Sequence, residues 1–519
     1  MQPMRATRLQ ALSGWQRLER VVDAAFGSRL NPLRQLGALG FLLLWLLAAT
    51  GIYLYAMLDT SAAGAYRSIE QLSHTSWGVG GLLRSLHRYA ADAFVVVMLA
   101  HLVREALLGR YSGFRRFSWL TGVPLLVLVF ISAIGGFWLN WDQLGQFSAM
   151  ATAEWLDWLP LFASPLTRNF LNVAAVNDRL FSLFVFVHLG VPLLLVFALW
   201  FHIQRIARAA VFPPRALAVG TAISLAALAL AAPVLSQAPA DLMMAPGALR
   251  YDWLLLFVHP LANATSPGFV WALLGGSLAA LLALPFLPQP APVPVARVDA
   301  ANCNGCRRCF DDCPYTAVTM VPHPLRGIRQ MAQVDAALCA SCGICVGACP
   351  SSTPFRSAAE LVTGIDMPSS PIGALRRQLT QGLAAMVDTP HKIVVFGCDH
   401  GADVTRLAGP DVAAFSLVCA GQLPPSFIEY ALRDGAAAVL VSACPDNGCE
   451  FRLGERWTAE RLLGTREPHL RASVPPDRLL VAPATAGDEG RLQAALQALR
   501  DRLGAGGASP TANAATRHA

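Results

Sequence analysis

The sequence predicts a multidomain fold: an all-α transmembrane bundle, then a small α+β domain, then a small α/β domain. Of 519 residues, 55% are hydrophobic and 14% charged, too apolar for a soluble globule of this length. The apolar residues concentrate before about residue 290, in runs long enough to span a bilayer. All 12 cysteines lie after residue 300, eight of them in two tight clusters. From His391 onward, short apolar strands alternate with helical stretches.

Six runs read as membrane helices: 36–57, 86–108, 118–139, 180–204, 215–236 and 266–287. Segment 251–261 is apolar but too short to span, which assigns it to the interface. Arginines gather in the N-terminal segment (Arg5, Arg8, Arg17, Arg20, Arg29, Arg34), in loop 104–116 (Arg104, Arg110, Arg115, Arg116) and after the fourth run (Arg205, Arg208, Arg215). The alternate loops, 58–83 and 140–178, are acidic or balanced. By the positive-inside rule the N-terminus is then cytoplasmic, and six crossings return the chain to the cytoplasm at about residue 288; the expected location is the inner membrane of a bacterium. The net charge of +7 reads as membrane orientation, not nucleic-acid binding. Residues 1–35 are polar and Arg-rich and do not read as a cleavable signal.

The remaining boundaries follow composition. Residues 1–30 form a cytoplasmic segment, 31–210 a four-helix bundle and 211–290 the last membrane helices. Pro288–Pro294 is a semi-rigid spacer. Residues 291–365 hold the clustered cysteines, 366–390 a linker with one helix, and 391–500 the α/β pattern. In that pattern, Lys392–Phe396, Val412–Val418 and Ala437–Val441 read as strands and Ser426–Arg433 as a helix. The Gly/Ala/Ser/Thr-rich end, 501–519, reads as disordered.

The second run carries His87 and His101, and the fourth carries His188 and His202; both pairs are 14 residues apart. Fourteen residues is just under four turns, so each pair shares a helix face, with its members about 21 Å apart along the axis. The two helices run parallel, which sets His87 level with His188 and His101 level with His202. Two such levels suit two haems b, each with two His ligands and no open position, hence electron transfer. Gly37 and Gly51 in the first run, and Gly122 and Gly136 in the third, repeat the 14-residue spacing and leave room for flat macrocycles.

With Arg84 three residues before His87, Arg104 three after His101, and Pro192 four after His188, residues 31–290 resemble cytochrome b of the quinol–cytochrome c reductase and plastoquinol complexes. The resemblance implies that Arg84 and Arg104 neutralise haem propionates, that Trp141–Arg179 is an amphipathic outer loop, and that the chain forms a homodimer. The family's Pro-Glu-Trp-Tyr quinol motif is replaced by Tyr251-Asp252-Trp253-Leu254. Asp252 is there the candidate for handling the quinol proton, the alternative being an interfacial helix with an aromatic anchor.

Cys303, Cys306, Cys309, Cys313 and Cys339, Cys342, Cys345, Cys349 form two C-x2-C-x2-C-x3-C-P runs. This is the bacterial ferredoxin pattern, whose fourth cysteine ligates the other cluster. It implies a ferredoxin-like domain with two [4Fe–4S] clusters. Cluster one takes Cys303, Cys306, Cys309 and Cys349; cluster two takes Cys339, Cys342, Cys345 and Cys313. No Cys-x-x-Cys-His occurs, so c-type haem attachment is not expected, and clustered thiols point to metal ligation in a reducing compartment.

Cys398, Cys419, Cys444 and Cys449 follow predicted strands or flank a turn. Through Phe396-Gly-Cys398, Val418-Cys419-Ala-Gly421 and Ala443-Cys444-Pro-Asp-Asn-Gly-Cys449, residues 391–500 resemble the delta subunit of methyl-viologen-reducing hydrogenases. The resemblance implies one [2Fe–2S] cluster and electron exchange with a heterodisulfide-reductase-type flavoprotein. That family's first motif has more cysteines than Cys398 alone; His400 is a candidate substitute ligand or a solvated turn residue.

The order of centres suggests a wire from a soluble cytoplasmic flavin or iron–sulfur dehydrogenase, through clusters and haems, to quinone in the lipid. The chain would be the quinone-reactive electron-transfer subunit of an oxidoreductase complex. The alternatives are a conduit to a periplasmic carrier, reverse flow from quinol to a cytoplasmic acceptor, and a redox sensor.

Overall fold

The computed structural model describes residues 2–74, 78–161, 165–166, 171, 175–204, 211–244, 247–287, 294–350, 361–386, 389, 391–446 and 448–505. The chain forms two compact units, residues 1–205 with 209–289, and 206–208 with 290–519.

The first unit is helical. In order come α1 (Gln2–Phe26), α2 (Leu36–Met57), α3 (Ala65–His74), α4 (Val79–Leu107), α5 (Arg116–Asn140) and α6 (Gln143–Asp157). They are followed by α7 (Asp178–Gln204), α8 (Arg215–Ala231), α9 (Val258–Ala264) and α10 (Pro267–Ala283). All six expected membrane helices are present as helices. Four helical stretches, Leu36–Met57, Gly113–Asn140, Asp178–Gln204 and Pro267–Phe286, are long and apolar enough to cross a membrane. α4 has the length, with 29 residues, but carries Arg84, Arg88, Asp92, Arg104 and Glu105. α8 is shorter than expected, 17 residues, because Pro233 forces Ala232 out of the helical region (φ −135°, ψ 75°).

α2 packs along α4, and α5 along α7. Large apolar side chains point outward: Ile52, Phe186 and Leu193 are each more than 70% exposed. An apolar exterior is the arrangement a bilayer favours. Residues 288–293 of the expected spacer lie outside the described residues.

The second unit is mixed. β1 (Arg297–Val298) pairs antiparallel with β4 (Ile365–Asp366), and β2 (Val318–Pro322) with β3 (Gln330–Val334). Two short helices, α11 (Arg308–Asp312) and α12 (Ile344–Gly347), follow the openings of the two cysteine runs. Then come α13 (Ile372–Ala385), β5 (Ile393–Cys398), β6 (Val412–Leu417), α14 (Ser426–Arg433), β7 (Ala438–Ser442), α15 (Gly454–Leu462), β8 (Leu479–Val481) and α16 (Glu489–Ala505). The parallel sheet runs β6-β5-β7-β8. β5 and β7, buried at every residue, are continuous apolar runs, as interior parallel strands require.

The helix expected within 366–390 is present as α13, and its Ile372, Leu375, Leu379 and Leu383 are buried in the unit's core. One expectation needs correction. The tail expected to be disordered from 501 is helical through Ala505, because α16 seats Leu492, Leu496 and Leu499 against the sheet. Residues 506–519 lie outside the described residues.

Candidate redox centres

The bundle brings His87 and His188 face to edge, with ring centroids 6.3 Å apart at 70°. Two metal–nitrogen bonds of about 2 Å, plus roughly 1 Å from each nitrogen to its ring centre, put trans-axial imidazoles about 6 Å apart. The pair therefore fits a bis-His haem. His202 lies within electrostatic reach of His101. Each of the four glycines stands against one of these rings. A Cβ at Gly136 would lie 2.9 Å from His188 Cε1, at Gly122 2.8 Å from His202 Cε1, at Gly51 3.1 Å from His87 Cε1, and at Gly37 3.6 Å from His101 Cε1. A side chain at Gly122, Gly136 or Gly51 would crowd its histidine ring, whereas one at Gly37 would meet His101 at ordinary contact distance.

Hydrogen bonds set the ring tautomers, a feature sequence reasoning missed. Thr50 Oγ1 donates to the Leu46 carbonyl (2.8 Å), so it accepts from His87 Nδ1 at 2.9 Å. Thr121 Oγ1 likewise donates to Phe117 (2.8 Å) and accepts from His202 Nδ1 at 3.2 Å. His188 Nδ1 donates to the Ser132 carbonyl at 2.8 Å. In all three rings the Nε2 lone pair is left for a metal.

Arg84 is buried and donates to Ser73 and Ser236 (both 2.7 Å), Asn140 (3.2 Å) and Glu70 (3.3 Å). Arg104, also buried, pairs with Glu19 of α1 at 2.8 Å and with Glu105 at 3.3 Å. Both guanidiniums thus lie three residues from one of these histidines and already hold carboxylates. Asp252 accepts from the amides of Leu254 (3.0 Å) and Leu255 (2.7 Å) and pairs with Arg88, the residue after His87. Arg88 also pairs with Asp92 and lies over the Phe137 ring. Near this cluster Phe147 touches Tyr251 and the buried His259, whose Nε2 meets Ser148 at 3.1 Å. Burial pushes His259 down to about 4.

In the second unit, Cys303, Cys306, Cys309 and Cys349 line one cavity of about 20 Å³. Cys342 and Cys345 are both within electrostatic reach of Cys313 and Cys339. Burial pushes the Cys309 thiol up to about 12 and raises those of Cys342 and Cys345, neighbouring thiols adding to the effect. Thiolates so placed need a cation among them, which is the chemistry of a metal cluster. Buried His323 accepts from Leu325 N at Nδ1 (3.0 Å), so its Nε2 donates to the Cys303 carbonyl (3.1 Å) and steadies that loop.

The last four cysteines are all buried and close into a ring. Cys398 hydrogen-bonds with Cys419 and Cys444, and so does Cys449. The Cys398–Cys444 sulfurs are 3.8 Å apart. A Cβ at Gly454 would lie 2.1 Å from the Cys419 sulfur, so only glycine fits beside the ring. Bonds from Cys419 and Cys444 draw the Cys398 thiol down. Glu455, missed in the sequence, bonds Cys449. Burial, with Cys449 beside it, pushes this carboxyl up to about 9. His400 is exposed and packs edge-on to Phe451.

Comparison with known proteins agrees with this order of parts. Residues 21–210 match the family model of cytochrome b/b6/petB, residues 302–353 that of the 4Fe-4S dicluster domain, and residues 393–506 that of the methyl-viologen-reducing hydrogenase delta subunit. Among solved structures, a chain described as hyperthermophilic respiratory Complex III is similar. It is 19% identical with a TM-score of 0.39, and the match covers 49% of this chain and 75% of that one. The three family regions make the chain a multi-pass membrane protein of electron transfer, with haem b in its helical unit and iron–sulfur in its second unit.

Proposed function

We propose that this chain, a membrane electron-transfer protein with a cytochrome b region and iron–sulfur domains, links a soluble cytoplasmic flavin or iron–sulfur dehydrogenase to the quinone pool. The carrying observation is the paired placement of His87 with His188, against Gly51 and Gly136. In this reading two haems b, two [4Fe–4S] clusters and one [2Fe–2S] cluster supply one-electron transfer. The protein's part is to hold and orient. Thr50, Thr121 and Ser132 fix the ligand rings. Arg84 and Arg104 would take haem propionates, and the glycines keep the cradle open. The cysteine sets, two crossed and one ring-shaped, would hold the clusters. Quinone would react beside the His87–His188 level, where Asp252 and Arg88 supply a carboxylate and a counter-charge at a protein–lipid boundary.

The test is quinone reduction by the purified, cofactor-loaded protein together with its soluble partner. Reduction of a short-chain quinone that is lost in His87→Ala supports the reading. Haems that reduce while quinone stays oxidised would instead favour the conduit to another carrier.

A further inference from the structure

We propose that Arg461 joins the Cys398–Cys419–Cys444–Cys449 site to cluster two, and that electrons pass directly between those two centres. The proposal rests on the reading that these thiols hold iron–sulfur clusters. Arg461, on α15, is 1% exposed. Its Nη1 donates to the Gly421 carbonyl at 2.8 Å, two residues after Cys419. Its Nη2 donates to Asp312 Oδ2 at 2.6 Å and to the Ile344 carbonyl at 3.4 Å. Asp312 immediately precedes Cys313, and Ile344 lies between Cys342 and Cys345. One guanidinium thus grips one loop of the thiol ring and two loops of cluster two.

The loops themselves touch with almost no side chain between them. A Cβ at Gly347 would lie 2.2 Å from the Gly421 carbonyl, at Gly421 2.9 Å from Ile344, and at Gly343 2.9 Å from Gln422. Cys449 lies within electrostatic reach of Cys342. The Asp312 carboxylate takes a second arginine, Arg466, at 2.6 Å, and its carbonyl accepts from Trp457 Nε1 at 3.1 Å. Arg466 is shared with Glu460 at 2.8 Å, while Arg461, the more deeply buried of the two guanidiniums, places its positive charge where the two sites meet. Such a charge favours the reduced, more negative form of both centres. The step moves one electron: the reduced thiol-ring centre is oxidised by one, cluster two is reduced by one, and no bond or proton changes place.

The experiment is a redox titration of the full, cluster-loaded chain followed by paramagnetic resonance. In the partly reduced wild type, the thiol-ring centre's signal should be broadened by a neighbouring spin. Cys342→Ser should abolish the broadening, and Cys309→Ser should leave it. Arg461→Met should lower the potentials of the thiol-ring centre and cluster two while cluster one stays in place, and Arg461→Lys should restore them. Should Arg461→Met fail to load, Arg466→Met, whose side chain is 19% exposed, should give a smaller shift of the same sign. Broadening that survives Cys342→Ser, or potentials unmoved in the methionine variants, would overturn the bridge. A wild type with no third-site iron at all would overturn the reading beneath it instead.

Discussion

Thr50 Oγ1 stands 2.9 Å from His87 Nδ1 and can only accept, since its own proton is committed to the Leu46 carbonyl. Hydrogen bonding at Nδ1 raises the basicity of an imidazole ligand and favours the oxidised metal. Thr50→Val keeps the volume and removes the acceptor. The potential of the haem at the His87–His188 level should rise, with the other haem unmoved. Thr121→Val should do the same to the other haem alone. Optical redox titration reads both, and equal shifts of the two haems in either variant would contradict the assignment.

The glycines give a graded series. A Cβ at Gly122 or Gly136 would crowd a ring at 2.8 or 2.9 Å, whereas one at Gly37 would meet His101 at ordinary contact distance, 3.6 Å. Gly136→Val should cost the same haem as His188→Ala, and Gly122→Val the same haem as His202→Ala. Gly37→Ala should retain both haems. Haem content per chain decides, and full retention in Gly136→Val would show that the cradle lies elsewhere.

Metal analysis of the purified protein should give about ten non-haem irons per chain, from two [4Fe–4S] and one [2Fe–2S] cluster. Cys444→Ser should lower this by about two and remove one set of paramagnetic signals. Iron unchanged in that variant would leave the thiol ring without a cluster.

Energy coupling follows from Asp252. We further propose an outer-surface position for Asp252, as the arginine distribution of the sequence predicts. An electron travelling outward from the negative side is then assisted by about 2.3 kcal/mol per 100 mV. Donor-driven quinone reduction in sealed, oriented vesicles should accelerate under an imposed inside-negative potential. Asp252→Asn, which retains an acceptor for the Leu254 and Leu255 amides, should slow turnover while haem reduction by the clusters continues. A rate indifferent to potential, with Asp252→Asn fully active, would put quinone at the inner face.

Much of this arrangement could be read in the sequence because its signals are local or periodic. Apolar runs announced the six helices, and 14-residue spacing set the histidines and glycines on common faces. Pro233 was a local signal overlooked, and it shortens α8. Thr50 and Thr121 each immediately precede a cradle glycine, a Thr-Gly pair in both helices that could have been noticed. The Arg88–Asp252 pair and the Arg461–Asp312 bridge join residues 164 and 149 positions apart. No local pattern encodes such contacts; only the packed chain brings them together. The same holds for Glu455, whose meaning depends on the burial of Cys449 beside it.

The most direct test of the central claim is haem content in the double variant His87→Ala/His188→Ala. If each haem is held by one histidine from α4 and one from α7 at the same level, the double variant keeps one haem with bis-His spectra. It then matches either single variant, and His101→Ala/His202→Ala keeps the other haem. Loss of both haems in His87→Ala/His188→Ala, with both retained or both lost in the singles, would contradict the pairing on which this account stands.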